Sequence, residues 1–323
     1  MASAQFGKET SGSGSFKRQG NRFSDRVSTD GSTPWPVEAD RYRLVWSRAC
    51  PWAHRSRIVL GLLGLDEVIS IGTVDPIRDE LGWRFTLDPE GQDPVLGISY
   101  LSEAYLATDP SYDGRVTVPA LLDTVSGRVV TNDYPQMTLD FSTEWSKFHT
   151  AGAPDLYPES HREEIDSVNE HVFRDVNNGV YRCGFATSQA AYEEAFTQLF
   201  DRLDWLEQRL DGRRYLVGDE LTEADIRLFT TLVRFDAAYH GHFKCNRNKL
   251  TEMPVLWAYA RDLFQTPGFG ESVDFDHIKR HYYQTHDRIN PTRIVPKGPD
   301  PAGWQAPHDR HEFTRGSGAA EFG

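Results

Sequence analysis

An α/β unit followed by an all-helical unit is the organisation this chain encodes. Strand-type alternation is confined to roughly the first 150 residues. From about residue 160 the apolar spacing is helical, and the Pro- and Gly-bearing segment "AGAPDLYP" (151–158) separates the two regions. The expected boundaries are an arm at 1–40, an α/β domain at 41–150, a helical domain at 160–300 and a tail at 301–323.

Residues 1–40 are Gly/Ser-rich, then polar and charged, and read as a flexible arm that docks at its end through Trp35, flanked by Pro34 and Pro36. "RYRLVWS" (41–47) predicts a strand with Tyr42, Leu44 and Trp46 on one face. "PWAHRSRIVLGLLG" (51–64) predicts a helix, with Pro51 at the start, where its missing N–H costs nothing. "VISIGTV" (68–74) is a second strand, and residues 75–114 read as a long excursion. The next strand is expected to end near Val118-Pro119. A hairpin turned at Ser126-Gly127 follows, then a strand through Val129 and Val130 and a helix capped by Asn132 or Asp133. Strand, helix, strand, crossover, hairpin, helix is the thioredoxin order. Helices are then expected at 161–179, 189–210, 223–237, 252–265 and 275–285. In "DELTEADIRLF" (219–229), Thr222 and Asp225 form a capping box and Leu221 can staple to Ile226, a signal for folding rather than chemistry.

Composition narrows the function. With 38% hydrophobic residues and 12% aromatic residues, both counted over the whole chain, 323 residues supply the core of a soluble globular protein. No run of about 18 apolar residues and no apolar leader is visible, so a cytoplasmic protein without membrane contact is expected. A formal charge of −13 argues against a nucleic-acid partner, which needs a concentrated positive face. Three scattered cysteines, Cys50, Cys183 and Cys245, form no C-x-x-C pair and no His/Cys ligand spacing, which fits a reducing compartment. Neither a metal nor a nucleotide is expected, because ligand clusters and Gly-rich phosphate loops are both missing from the sequence.

The chemistry concentrates in "RACPWAHRSR" (48–57). Cys50 follows a strand and precedes Pro51 at a helix N-terminus, where free N–H groups and the macrodipole favour an anion. A thiolate with a pKa lowered toward about 3.5 to 7.5 is expected of such a position. Ala53 stands where a dithiol motif has its second cysteine, so a mixed disulfide on Cys50 must be resolved by an external thiol. His54 and Arg55 are near enough in sequence to steady a thiolate but are not assigned that role, since arginines on a helix face are usually solvated. Cys183 and Cys245 read as small buried side chains without a close partner.

"CPWAHR" (50–55), "NNGVYRCGFA" (177–186), "EADIRLFTTLVRFDAAYHGHFKCN" (223–246) and "HIKRHYYQTHDRINPTRIVPKGP" (277–299) occur in that order. With them the chain resembles the glutathionyl-hydroquinone reductases, the xi class of glutathione transferases, over about residues 35 to 300. The resemblance implies a glutathione transferase (GST) fold, with an N-terminal thioredoxin-like domain and a C-terminal helical domain, and a homodimer. It also implies reduction of S-conjugated hydroquinones by a catalytic Cys50. By the same resemblance Trp83 of "LGWRF" flanks the thiol, Thr117-Val118-Pro119 presents backbone to its cysteinyl part, and Tyr181, Tyr239 and Tyr282 surround the quinol as catalytic groups.

The sequence departs from that pattern at one place. The helix after the second hairpin strand usually opens in the family with Glu-Ser, which holds the γ-glutamyl end of glutathione; here "TNDYPQ" (131–136) puts Asp133 and Tyr134 there. Only seven of the 35 basic residues are lysines, a bias that GC-rich coding produces. The thiol co-substrate is therefore either glutathione or a sugar-linked thiol such as the mycothiol of GC-rich actinobacteria. Two further readings stand beside the reductase: a general thiol transferase or dehydroascorbate-type reductase, which needs no tyrosine pocket, and a non-catalytic GST-like binding module.

Overall fold

The computed structural model describes residues 9–315 and divides into two compact units. The first comprises residues 9–11, 17–154 and 272–296; the second comprises 12–16, 155–271 and 297–315. Residues 272–296, expected in the helical domain, thus group with the α/β unit. Most of the expected tail, 301–315, is described and belongs to the second unit, while 316–323 lie outside the described residues.

In the first unit β1 (Tyr42–Trp46) pairs in parallel with β2 (Ile69–Thr73), Leu44 opposite Ile71. On its other side β1 pairs antiparallel with β3 (Ala120–Asp123), Leu44 opposite Leu121, and β3 pairs antiparallel with β4 (Arg128–Thr131). The order β2-β1-β3-β4 makes β1 a central strand, and all five of its residues are buried, where alternation had suggested a single buried face. Arg43 tolerates burial because its guanidinium donates to the Asp93 carboxylate at 2.8 Å. The other Asp93 oxygen accepts the N–H groups of Val95 and Leu96 at 3.0 and 2.9 Å, so one carboxylate pins the long excursion to the sheet.

The excursion contains a helix that the sequence reading missed, α2 (Leu101–Thr108). Its start is written by Glu103, which accepts the N–H groups of Ser99 and Tyr100 at 2.9 and 2.8 Å. Tyrosine is not a residue that announces a helix start. The strand expected to end at Val118-Pro119 instead begins just after it, because proline has no N–H to give the ladder. The hairpin turns as expected, Asp123 accepting from Ser126 N–H at 2.9 Å and, through its carbonyl, from Gly127 N–H at 2.9 Å.

Helix α1 (Pro51–Leu63) ends at Gly64, whose φ of +71° only glycine adopts freely; a Cβ there would also meet Thr150 at 2.9 Å. α1 packs on α3 (Tyr134–Thr143), Ser56 reaching the Met137 sulfur at 3.5 Å. Neither Asn132 nor Asp133 caps α3 with its side chain. Pro135 removes an N–H that such a cap would satisfy, and both side chains face the arm instead. Residues 9–11 and 17–40 of that arm are docked along the unit, not loose, and 1–8 lie outside the described residues: Phe23 and Asn132 exchange hydrogen bonds at 2.9 and 3.1 Å, and the buried Glu9 pairs with Arg115 at 3.1 Å.

The second unit contains α4 (Arg162–Val172), a π-turn at Phe173–Asn177, α5 (Gly179–Gly184), α6 (Gln189–Arg209) and α7 (Glu223–Leu232). A second π-turn, Phe235–Tyr239, leads into the short α8 (His240–His242) and then α9 (Pro254–Gln265). α10 (Phe275–Thr285) returns the chain to the first unit. The start of α7 is held by the fully buried Asp225, which accepts from Thr222 N–H, Leu216 N–H and the Tyr259 hydroxyl at 2.9, 2.9 and 2.8 Å. Among the described residues no helix is long and apolar enough to cross a membrane.

Substituting Asp93→Ala leaves a buried guanidinium and two loop N–H groups without their acceptor. Stability should fall by about 3 to 5 kcal/mol in denaturant unfolding, with proteolysis entering the chain first between residues 75 and 100. Unfolding within about 1 kcal/mol of wild type would show that the loop is held by other means.

Candidate active site

Cys50 is the N-cap of α1, with φ −81° and ψ 119°. Its N–H donates to Ser47 O at 3.0 Å and its carbonyl accepts the first helical bond, from His54 N–H at 3.0 Å. Cys50 as a residue is 9% exposed, and its thiol lies 3.5 Å from the Val118 carbonyl. Two expected site residues, Cys50 and Val118, are thus in direct contact, and Pro119 follows through a cis peptide. Thr117 is held from two sides: its carbonyl accepts from the Tyr105 hydroxyl at 2.7 Å and its Oγ1 from the Asn132 amide at 3.1 Å. Ala53 is fully buried one turn below the thiol.

Two residues at the head of α1, Trp52 and Arg18 of the arm, were not singled out from the sequence, and a third, Arg55, was left without a role. Trp52 tilts against Tyr134 at 4.8 Å between ring centroids, joining the heads of α1 and α3. Arg55, expected to be solvated, is 1% exposed and lies 4.8 Å from the Trp52 ring and 5.8 Å from that of Tyr134, so aromatic faces shelter its charge. Arg18 of the arm stacks on Trp52 at 4.5 Å. His54 is buried with Nε2 2.7 Å from Ser272 Oγ. Asp133 sits at the N-cap of α3, where its Oδ1 accepts from the Asn21 amide at 3.1 Å.

Trp83 and Tyr282 meet through a histidine that sequence reasoning missed. His281 donates from Nδ1 to Pro76 O at 2.7 Å and stacks on Trp83 at 5.3 Å and 14°. Tyr282, 1% exposed, lies edge-on to His281 at 5.3 Å and to His286 at 5.5 Å. Arg78 covers Trp83 at 5.2 Å, and the indole N–H is buried with no acceptor among the described residues.

The second unit brings Tyr181 and Tyr239 together, with ring centroids 6.1 Å apart. Phe243 packs on both, at 5.4 and 5.5 Å. Gly184 makes room for it, since a Cβ there would fall 2.2 Å from the Phe243 ring. Each tyrosine follows or ends a π-turn, a distortion that re-aims side chains at helix faces. Cys183 and Cys245, read as having no close partner, are neighbours in this cluster: burial, then the adjoining Cys183 side chain, push the Cys245 thiol well above its ordinary value. Cys245 is therefore held protonated and inert. Among the described residues no group of three or more His, Cys, Asp or Glu side chains is arranged to hold a metal ion.

The sequence matches the glutathione S-transferase N-terminal domain family over residues 49–137 and the C-terminal domain family over 189–262. It is 49% identical over 265 residues to the glutathionyl-hydroquinone reductase PcpF of Sphingobium chlorophenolicum, covering 81% of this chain and 84% of that protein. The chain belongs to the glutathionyl-hydroquinone reductases, the xi class of glutathione transferases. Within this family the glutathionyl-hydroquinone reductase YqjG of Escherichia coli is 43% identical over 309 residues, covering 92% of each chain. Its glutathione-bound structure aligns with a TM-score of 0.84 over 90% of this chain and 96% of that one. The crystal structure of a glutathione transferase from Gordonia bronchialis is 59% identical, with a TM-score of 0.89 over 90% of this chain and 91% of the other.

Next to Phe243, burial pushes His242 down to about 4. The folded state therefore keeps this ring neutral while the unfolded chain takes up a proton near pH 6.5, so the contribution is complete above about 6.5 and lost as pH falls toward 4. Unfolding free energy should drop by about 3 kcal/mol across that window through this group. Denaturant midpoints of wild type and His242→Asn between pH 7 and 4 check it; parallel pH slopes would remove His242 as the cause.

Proposed function

We propose that this protein is a thiol-dependent reductase of S-conjugated hydroquinones that works through a mixed disulfide on Cys50. The observation that carries the reading is the lone cysteine at the N-cap of α1, in contact with Val118 and with Ala53 in place of a second thiol. A helix N-terminus favours the thiolate. That thiolate attacks the sulfur of the conjugate: an S–S bond forms, the carbon–sulfur bond breaks, and the electron pair stays on the ring carbon, which takes a proton. A second thiol then attacks the thiol-derived sulfur of the mixed disulfide, releasing Cys50 and a small-molecule disulfide. The ring carbon gains two electrons as C–S becomes C–H, and two sulfurs, that of the conjugate and that of the one incoming thiol, lose one each in becoming the disulfide, so the electrons balance.

Tyr181, Tyr239 and Tyr282 are the proposed donors to the phenolic oxygens and to the ring carbon. Trp83 N–H is the proposed donor to the bound thiol, for which its buried, unanswered state suits it. The enzyme is taken to act as a cytoplasmic homodimer.

Cys50→Ser should abolish turnover and mixed-disulfide formation, while Cys183→Ser and Cys245→Ser retain both. Tyr239→Phe or Tyr282→Phe should slow hydroquinone release on the order of 10- to 1,000-fold and leave alkylation of Cys50 unchanged. Substantial turnover by Cys50→Ser, read by chromatography of released hydroquinone, would end the mechanism. Full activity of both tyrosine variants would leave a general thiol transferase in its place.

The identity of the thiol turns on the head of α3. Tyr134 is buried against Trp52 where a small hydroxyl would suit a γ-glutamyl carboxylate, and Asp133 is already engaged by Asn21. Both features favour a thiol whose non-reacting end is not γ-glutamyl. Converting Asp133-Tyr134 to Glu-Ser should then strengthen glutathione binding by about 1 to 3 kcal/mol, roughly 5- to 150-fold, and weaken the native thiol. A wild-type preference for glutathione over mycothiol in resolving the Cys50 mixed disulfide would overturn this choice.

A further inference from the structure

We propose that Arg18 and Asn21 of the N-terminal arm are specificity-determining residues for the thiol, and that Asn21 tunes the site toward a hydroxyl-bearing end rather than an ammonium. The inference rests on the reading that Cys50 is the reacting thiol.

The stretch that carries both residues is fixed at each end. Gln19 donates to Arg115 O at 2.8 Å and accepts from Arg115 N–H at 3.0 Å, a two-way amide clamp. Phe23 accepts Asn132 N–H on its carbonyl and donates its own N–H to Asn132 Oδ1, receives Thr131 Oγ1 on its carbonyl at 3.2 Å, and places its ring edge-on to Tyr105 at 5.1 Å. Tyr105 and Asn132 are the same groups that hold Thr117, next to the carbonyl in contact with Cys50. The arm and the thiol-facing strand segment therefore share anchors, and residues 18–21 cannot shift without disturbing them.

What this fixed stretch presents is chemical selectivity. Arg18 lies over Trp52, two residues beyond Cys50, and Trp52 leans on Tyr134 at the head of α3. Asn21 donates to Asp133 at the N-cap of α3, where the resemblance implies that the carboxylate faces the non-reacting end of the thiol. An isolated carboxylate is a good counter-ion for an ammonium. A carboxylate already bonded to an amide has part of its acceptor capacity used, and the pair offers an amide oxygen beside it, so neutral hydroxyl groups are matched better than a single cation. Arg18 adds a guanidinium, which pairs with oxygen-bearing groups and repels an ammonium. Both additions come from a segment outside the thioredoxin-like elements.

The test follows mixed-disulfide formation on Cys50 by intact mass, using the full chain and the symmetric disulfides of glutathione and mycothiol; no hydroquinone is involved. Each reaction joins Cys50 to one half of the disulfide and releases the other half as a thiolate. Asn21→Ala should move the ratio of the two second-order rate constants at least fivefold toward glutathione, through half-saturating concentration rather than limiting rate. Arg18→Ala should slow the mycothiol reaction at least fivefold, with alkylation by neutral iodoacetamide unchanged. Arg22→Ala, which removes a surface ion pair between the arm and Asp109, should leave the ratio within twofold and so separates selectivity from arm order. A ratio within twofold of wild type in Asn21→Ala, or an equal shift in Arg22→Ala, would overturn the inference. Failure of the catalytic reading looks different: wild-type Cys50 would not form either adduct.

Discussion

The first unit is governed by one backbone constraint: the chain passes from β1 to α1 in four residues, and a proline at position 51 fits only the first turn of a helix. That sets Cys50 as the N-cap and fixes the phase of the helix behind it. Trp52 and Arg55 then meet α3, His54 turns toward Ser272, and Ala53 is sealed inside. Sliding the helix start by one residue would rotate each of these side chains by about 100° and take the thiol off the helix axis.

Around that fixed point the irregular segments are held by buried carboxylates acting as two-handed clamps. Asp93 joins Arg43 of the central strand to its own loop, Glu9 joins the arm to Arg115, and Asp225 joins a loop, a helix start and Tyr259. In each case one side chain satisfies groups distant in sequence, which is how long loops become part of a core without burying unpaired polar atoms. The arm illustrates the result. Its composition is that of a flexible chain, yet its hydrogen bonds and ion pairs hold it in place, with Arg18 over Trp52, two residues beyond Cys50.

Elements punctuated by proline and glycine were legible in the sequence: α1 between Pro51 and Gly64, the hairpin at Ser126-Gly127, α9 opening at Pro254. So was Cys50, because a lone cysteine between a strand and a helix-starting proline is a local pattern. The features that escaped are long-range. The start of α2 depends on Glu103 reaching back to a tyrosine, and the π-turns beside Tyr181 and Tyr239 lie where Asn177 bonds to Thr231 and Phe243 stacks on Tyr239. Arg55 looks like a surface residue until two aromatic rings from different helices are placed over it. The neighbouring of Cys183 with Cys245, the return of α10 and the contact of Asn21 with Asp133 join positions that no local window contains together.

The sealed Ala53 has a consequence for how such a protein meets its surroundings. A dithiol enzyme carries its own reductant for one turnover and can discharge into a closed ring. With a methyl group in that place, the proposed adduct on Cys50 has no internal exit, and its lifetime is set wholly by the concentration of small thiol outside. In that proposal, when the pool is depleted the protein rests with Cys50 capped, shielded from the irreversible steps of cysteine oxidation, and it resumes work as the pool recovers. The chain would thus be stored, not destroyed, by the oxidising conditions under which quinones accumulate.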